Sequence, residues 1–224
     1  MYTIKQCNTK DLKNQFIDFP YQLNKNNPHW IPPLKLSILD TFNFEKNPFW
    51  KLVDYDFWIV TKQEIVVGRI LALINHPQNK IENNKIGHFG FLESIDNQDV
   101  FKLLLDTATN WCSSKGMNKI MGPLNPSLNY ELGVLTKGFD LDPYFMMTYN
   151  ATYYNQNIIN CGFCPSMEFY AYQLDVANFH ASNKILAICN RYFENKSIII
   201  RNINLNNFDK ESETIRNIYN DAFQ

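Results

Sequence analysis

The chain is short of excess charge, of glycine and of long apolar runs, and each shortage removes a class of function. Lysine and arginine number 21 against 22 aspartates and glutamates, a net charge of −1 with pI near 6.4. That balance gives no electrostatic footprint for nucleic acid or an anionic membrane. The most apolar run, Ile65 to Ile74, is short and carries Arg69, so it cannot span a bilayer. With only eight glycines, no P-loop, dinucleotide fingerprint or G-x-S-x-G elbow occurs. Four histidines include no His-x-x-x-His pair, and Cys161-Gly-Phe-Cys164 has no second ligand pair at zinc spacing, so no metal is expected. The opening MYTIKQCN reads as a short strand and not as a secretory signal. Five cysteines, an odd count, then point to free thiols in a reducing cytoplasm.

What is present is an apolar and aromatic chain, 45% hydrophobic and 15% Phe, Trp and Tyr, enough for a sizeable core. Its 30 asparagines form no prion-like tract and reflect base composition. Residues 1–7 alternate as a strand, and Asn8 or Thr9 can cap a helix starting near Asp11. A proline-punctuated, aromatic-rich stretch follows, with Phe42, Phe44, Phe49, Trp50, Phe57 and Trp58 expected mainly in the core. DYDFWIVTK and IVVGRILALI flank Gln63-Glu64 as a hairpin, and Ile86 to Ile95 forms a third strand. Val100, Leu104, Ala108 and Trp111 mark a helix over 97–114. MNKIMGPL supplies another strand, NATYYNQNIINCGF a helix ending at Gly162, and SMEFYAYQLDV a closing strand. Strand then helix begin again at Ser197–Leu205 and Asp209–Phe223. The order indicates a mixed α/β sheet with helices packed on it.

Two stretches carry candidate chemistry. In GPLNPSLNYELGVLTKGF, Asn125, Ser127, Asn129 and Glu131 recur at every second position, which in an extended segment points them to one side. Their amide and hydroxyl groups, with Tyr130, suit the polar head of a substrate, and Glu131 can deprotonate or pair an ammonium. Pro123 and Pro126 exclude a regular central strand there. In HFGFLE, Gly90 allows a bulge that frees backbone N–H groups at Phe89, Gly90 and Phe91, or simply lets the two phenylalanines pack.

The phrases FPYQLNKNNPHWIPPL, KNPFW, VVGRILALINHPQN, GHFGFLES, MGPLNPSLNYELGVLTKGF, MTYNATYYNQNIINCGF and RNINLNNFDKESETIRNIYNDAF resemble the YghO-like group of GNAT-fold acyltransferases across nearly the whole chain. The resemblance implies a GNAT-like α/β fold, a mixed and mostly antiparallel central sheet flanked by helices. It implies a first lobe over 1–178, and a connecting helix with the start of an incomplete second lobe over 179–224. The implied reaction is transfer of an acyl group from acyl-CoA or acetyl-CoA to a small-molecule or lipid-like amine acceptor. A noncatalytic lobe that binds a ligand, or packs on a second lobe or a second copy, is the alternative.

Residue by residue, the resemblance makes Glu93 a carboxylate base at a strand exit. It makes Tyr154 the substitute for an acid phenol whose usual position, four residues before Gly162-Phe163, is Ile158. Backbone N–H groups at Phe89, Gly90 and Phe91 would take the thioester. The departure from ordinary GNAT enzymes is FLESIDNQDVF, where a Gly-rich diphosphate loop belongs and neither glycine nor arginine occurs. Asp96 is expected to cap the following helix with Asp99 three residues on, carboxylates that repel a diphosphate.

Overall fold

The computed structural model describes residues 1–177, 179–194, 199 and 201–222, and contacts divide the chain into Met1–Ser166 and Met167–Gln224. In the first unit, β1 (Tyr2–Gln6) leads to α1 (Lys10–Leu23), whose first turn is closed by Thr9 Oγ1 accepting from Leu12 N. The short helix α2 (Lys35–Thr41) precedes the hairpin β2 (Val53–Lys62) and β3 (Ile65–Asn75). Gln63 and Glu64 both have positive φ, 50° and 65°, the two-residue geometry that matches strand twist. After β3 comes one short helix, α3 (His76–Ile81), capped by Asn75. Then come β4 (Ile86–Ser94), α4 (Gln98–Ser114), β5 (Lys119–Met121), the small hairpin β6 (Leu124–Asn125) and β7 (Glu131–Leu132), and α5 (Tyr154–Asn160).

The main sheet runs β1-β2-β3-β4-β5, antiparallel except where α4 crosses over to set β5 parallel to β4. It is a mixed, mostly antiparallel α/β sheet flanked by helices. One face packs Trp58, Ile70, Phe89 and Leu92 against Val100, Phe101, Leu104 and Ala108 of α4. The other packs Phe57, Leu71, Leu73 and Phe91 against Phe16 of α1, with Phe42 and Trp50. The aromatic stretch after residue 42 is thus core on both faces, as its composition indicates.

The second unit contains α6 (Asn183–Phe193), capped by Ser182, and α7 (Phe208–Ala222). Between Asn160 and Asn183 the described residues form no helix or strand. The closing strand expected at SMEFYAYQLDV is therefore a correction. Met167, Phe169, Tyr170, Tyr172, Leu174 and Val176 are all exposed, because period-2 alternation makes a strand only where a partner edge takes its hydrogen bonds. The strand expected at 197–205 lies partly outside the described residues. Its described end is irregular through Asn204, and Leu205 opens a 3-10 turn.

Candidate functional site at the bulge of β4

β4 and β5 pair only through Ile86–His88 and Lys119–Met121, and beyond them the strands part. The opening is filled by the β6–β7 hairpin. Two glycines make that approach possible. A Cβ on Gly90 would stand 1.6 Å from the Leu124 carbonyl oxygen, and one on Gly122 would stand 2.3 Å from the Phe89 carbonyl oxygen.

On its other edge β4 is bulged. Arg69 pairs with Glu93 and Leu71 with Gly90, so Phe91 and Leu92 together face Ile70, with Phe91 at φ 48°. The extra residue reverses the alternation, sending Phe89 to the α4 core and Phe91 to the α1 core. It also turns the Phe91 N–H off the ladder. The sequence reading left that group free for a ligand. In the structure it donates to Asn125 Oδ1 at 2.6 Å, a correction that comes from the hairpin filling the gap.

The reversed alternation brings Glu93 to Arg69. The Arg69 guanidinium is buried, pairs through Nε with Glu93, donates from Nη1 to the Phe16 carbonyl at 2.7 Å and stacks on the Phe16 ring at 4.7 Å. Glu93 is thus the partner of a buried cation and not a solvated carboxylate awaiting a substrate. Glu131 sits across the hairpin from Asn125. Although Glu131 is exposed, the packing around its carboxyl and the repulsion of Glu93 push its pKa up; the neighbouring Asn125 side chain and Arg69 oppose that shift.

The far end of β4 is held by two phenols. Tyr154 Oη accepts from Ser94 N at 3.1 Å, and Tyr153 Oη donates to the Ser94 carbonyl at 2.7 Å. Tyr154 is 5% exposed, and burial pushes its phenol well above the usual tyrosine range, with Glu93 adding to the shift. It stands as a buried clamp on the strand. Glu93 therefore lies within electrostatic reach of both Glu131 and Tyr154, residues far from it in sequence.

The polar comb is divided. Asn125 and Glu131 are cross-strand partners on one side of the hairpin, whereas Ser127, Asn129 and Tyr130 belong to its turn. Ser127 Oγ accepts from Asn129 N at 3.3 Å, and Tyr130 is 39% exposed. The expected one-sided row of four is corrected because a chain that reverses within five residues cannot stay extended.

At the start of α4 the cap is Asn97, whose side chain accepts from Val100 N, and not Asp96. Asp96 instead accepts from Asn157 Nδ2 at 3.2 Å. Gln98 donates to the Asn157 carbonyl and accepts from Asn160 Nδ2, both of α5. The helix N-terminus where a diphosphate would lie is thus covered by α5 and flanked by Asp96 and Asp99.

Arg69, Tyr153 and Asn157 were missed as site residues. Arg69 did carry a signal, since a lone arginine in an apolar strand needs a buried partner. Cys7 and Cys112 are buried thiols pushed up to about 12, and among the described residues no group of His, Cys, Asp or Glu could hold a metal. No helix among them is long and apolar enough to cross a membrane.

This sheet order, its parallel β4–β5 pair and the bulged β4 beside the opening accompany a sequence likeness. The chain is 32% identical to protein YghO of Escherichia coli K12 over 217 residues, covering 97% of this chain and 55% of that one. The chain resembles the YghO-like group over nearly its whole length. It is also 30% identical to the bacterial ceramide synthase of Caulobacter vibrioides over 214 residues, covering 93% of this chain and 54% of the relative. The chain spans about half the length of these curated relatives. Among solved structures, an acetyltransferase-like protein from Clostridium acetobutylicum, solved with acetyl-CoA, superposes with a TM-score of 0.48 at 12% identity, over 81% of this chain and all of that one. No family model matches the chain.

Proposed function

We propose that the chain is the part of an acyl-CoA-dependent N-acyltransferase that holds the reacting carbonyl and the acceptor amine. The observation that supports this most is the bulge of β4, whose Phe91 amide already holds a carbonyl oxygen, that of Asn125, the cross-strand partner of Glu131. In the reaction the amine nitrogen bonds to the thioester carbonyl carbon, the C–S bond breaks, and thiolate leaves as CoA. An amine arriving as ammonium must first lose a proton. A carboxylate whose pKa is raised is a better base for that step than an ordinary one. Arg69 holds Glu93 as its counter-ion, so the proton-accepting role falls to Glu131. Tyr154 acts as a positioning residue that fixes the end of β4. Asn125 and the turn residues Ser127, Asn129 and Tyr130 line the acceptor side.

The acceptor is proposed to be a lipid-like amine, a reading supported by the relative called bacterial ceramide synthase. Calorimetry with CoA and with a long-chain acyl-CoA tests the proposal. Binding of the acyl-CoA is expected, and no heat at millimolar ligand would overturn it.

One observation favours the alternative, a GNAT-like lobe that does not itself hold CoA. The covered, acid-flanked start of α4 is a poor seat for a diphosphate. Under that reading, free CoA and acyl-CoA both fail to bind while a diphosphate-free acyl thioester still does.

A further inference from the structure

The Asn125 side chain stands in the opening between β4 and β5. Its oxygen takes the β4 amide that the bulge turns away from the ladder, at 2.6 Å, and Asn125 pairs across the hairpin with Glu131. An asparagine side chain is a primary amide, so its C=O presents to Phe91 N–H the same acceptor that an acyl thioester or acyl amide presents. The hairpin is delivered to this depth by Gly90 and Gly122, whose missing side chains leave room for the Leu124 and Phe89 backbones.

We infer that Asn125 is a built-in stand-in for a ligand carbonyl. It fills the Phe91 amide when the site is empty and is displaced by the carbonyl of an acyl group. The inference rests on the proposed acyl-transfer reading for the identity of the ligand, but the exchange itself needs only a carbonyl oxygen. While Asn125 is docked, the buried Phe91 N–H is satisfied, so the empty bulge carries no orphan donor.

Displacement lowers affinity, because the competent form is only part of the population. Replacing Asn125 by alanine should therefore tighten carbonyl binding by about tenfold, the ratio corresponding to one displaced hydrogen bond.

The experiment titrates the isotopically labelled chain with hexanoyl-pantetheine, a thioester without a diphosphate, and with S-hexyl-pantetheine, the thioether lacking the carbonyl. The thioester is expected to move the Phe91 backbone amide and the Asn125 side-chain amide resonances in NMR spectra, and the thioether to move neither. Asn125→Ala is expected to bind the thioester about tenfold more tightly and the thioether unchanged. Asn125→Ser serves if the alanine variant does not fold, and the wild-type titration stands without either. Asn125 resonances unmoved at saturating thioester, a gain equal for both ligands, or no thioester binding by any variant would each overturn the inference. Null calorimetry with acyl-CoA alongside thioester-induced shifts would sink the cofactor reading and leave this one standing.

Discussion

The two halves of β4's outer edge solve the same problem in different ways. Through Ile86–His88 its backbone groups are taken by the β5 ladder, strand to strand. From Phe89 to Ser94 no strand is available, and side chains do the work: Asn125 on Phe91, Tyr154 and Tyr153 on Ser94. A ladder bond is shared among neighbours and is hard to exchange singly. A side-chain cap can rotate away and be replaced, which makes the second half the part of the strand that can accept a ligand.

The largest test of that difference is Gly90→Ala. A methyl group 1.6 Å from the Leu124 carbonyl oxygen must push the hairpin out of the opening. A loss of about 3 kcal/mol or more is expected in denaturant unfolding. The corresponding change on the ladder half is Gly87→Ala, where the obstacle is the Cys112 side chain and not backbone. A loss at position 87 as large as that at position 90 would break the comparison.

Next comes the ion pair that the bulge creates. Arg69→Met leaves Glu93 without its buried partner and the Phe16 carbonyl without a donor, an expected loss of about 3 kcal/mol. The double variant Arg69→Met with Glu93→Leu should recover most of it. Unfolding midpoints of the three variants in a double-mutant cycle decide the matter, and additive losses would remove the pair from the account.

Smaller again is the Ser94 clamp. Tyr154→Phe keeps the ring packed on Phe101 but removes the acceptor of a buried N–H, at about 1–2 kcal/mol. Faster exchange of the Ser94 amide is the specific readout, and it should leave the His88 amide, in the ladder half, unaffected.

The smallest effect is a pH dependence at Glu131. Its folded pKa lies above the ordinary 4.5, so the fold favours the protonated carboxyl, and stability is lost as pH rises through the raised value. Glu131→Gln removes that penalty. Its melting temperature should exceed the wild type's by about 1–2 °C at pH 7, and the gap should close below pH 4.5. A gap independent of pH would mean that the carboxyl is not perturbed.

Much of the first unit was legible from short-range patterns. The Gln63-Glu64 turn, the Thr9 cap, the stripe along α4 and the strand at 86–94 each depend on neighbours a few residues away. The bulge was legible too, through Gly90, although the extra residue proved to be the Phe91–Leu92 pair beyond it. Asp96 was read as a cap in place of Asn97 because either side chain suits that position. The capping residue is set by where the first helical turn closes.

Sequence alone determined that this is an α/β chain with a β2–β3 hairpin, a long amphipathic α4 and a polar, proline-broken loop after β5. These follow from periods of 2 and 3.6 and from turn chemistry, which act locally. Only the tertiary structure decided which groups meet. One extra residue in β4 reverses its alternation, and that reversal, invisible to any pattern count, turns Glu93 toward Arg69 and Phe91 toward Phe16. The same structure decided that SMEFYAYQLDV is not a strand, since a strand's hydrogen bonds belong to its partner as much as to its own sequence.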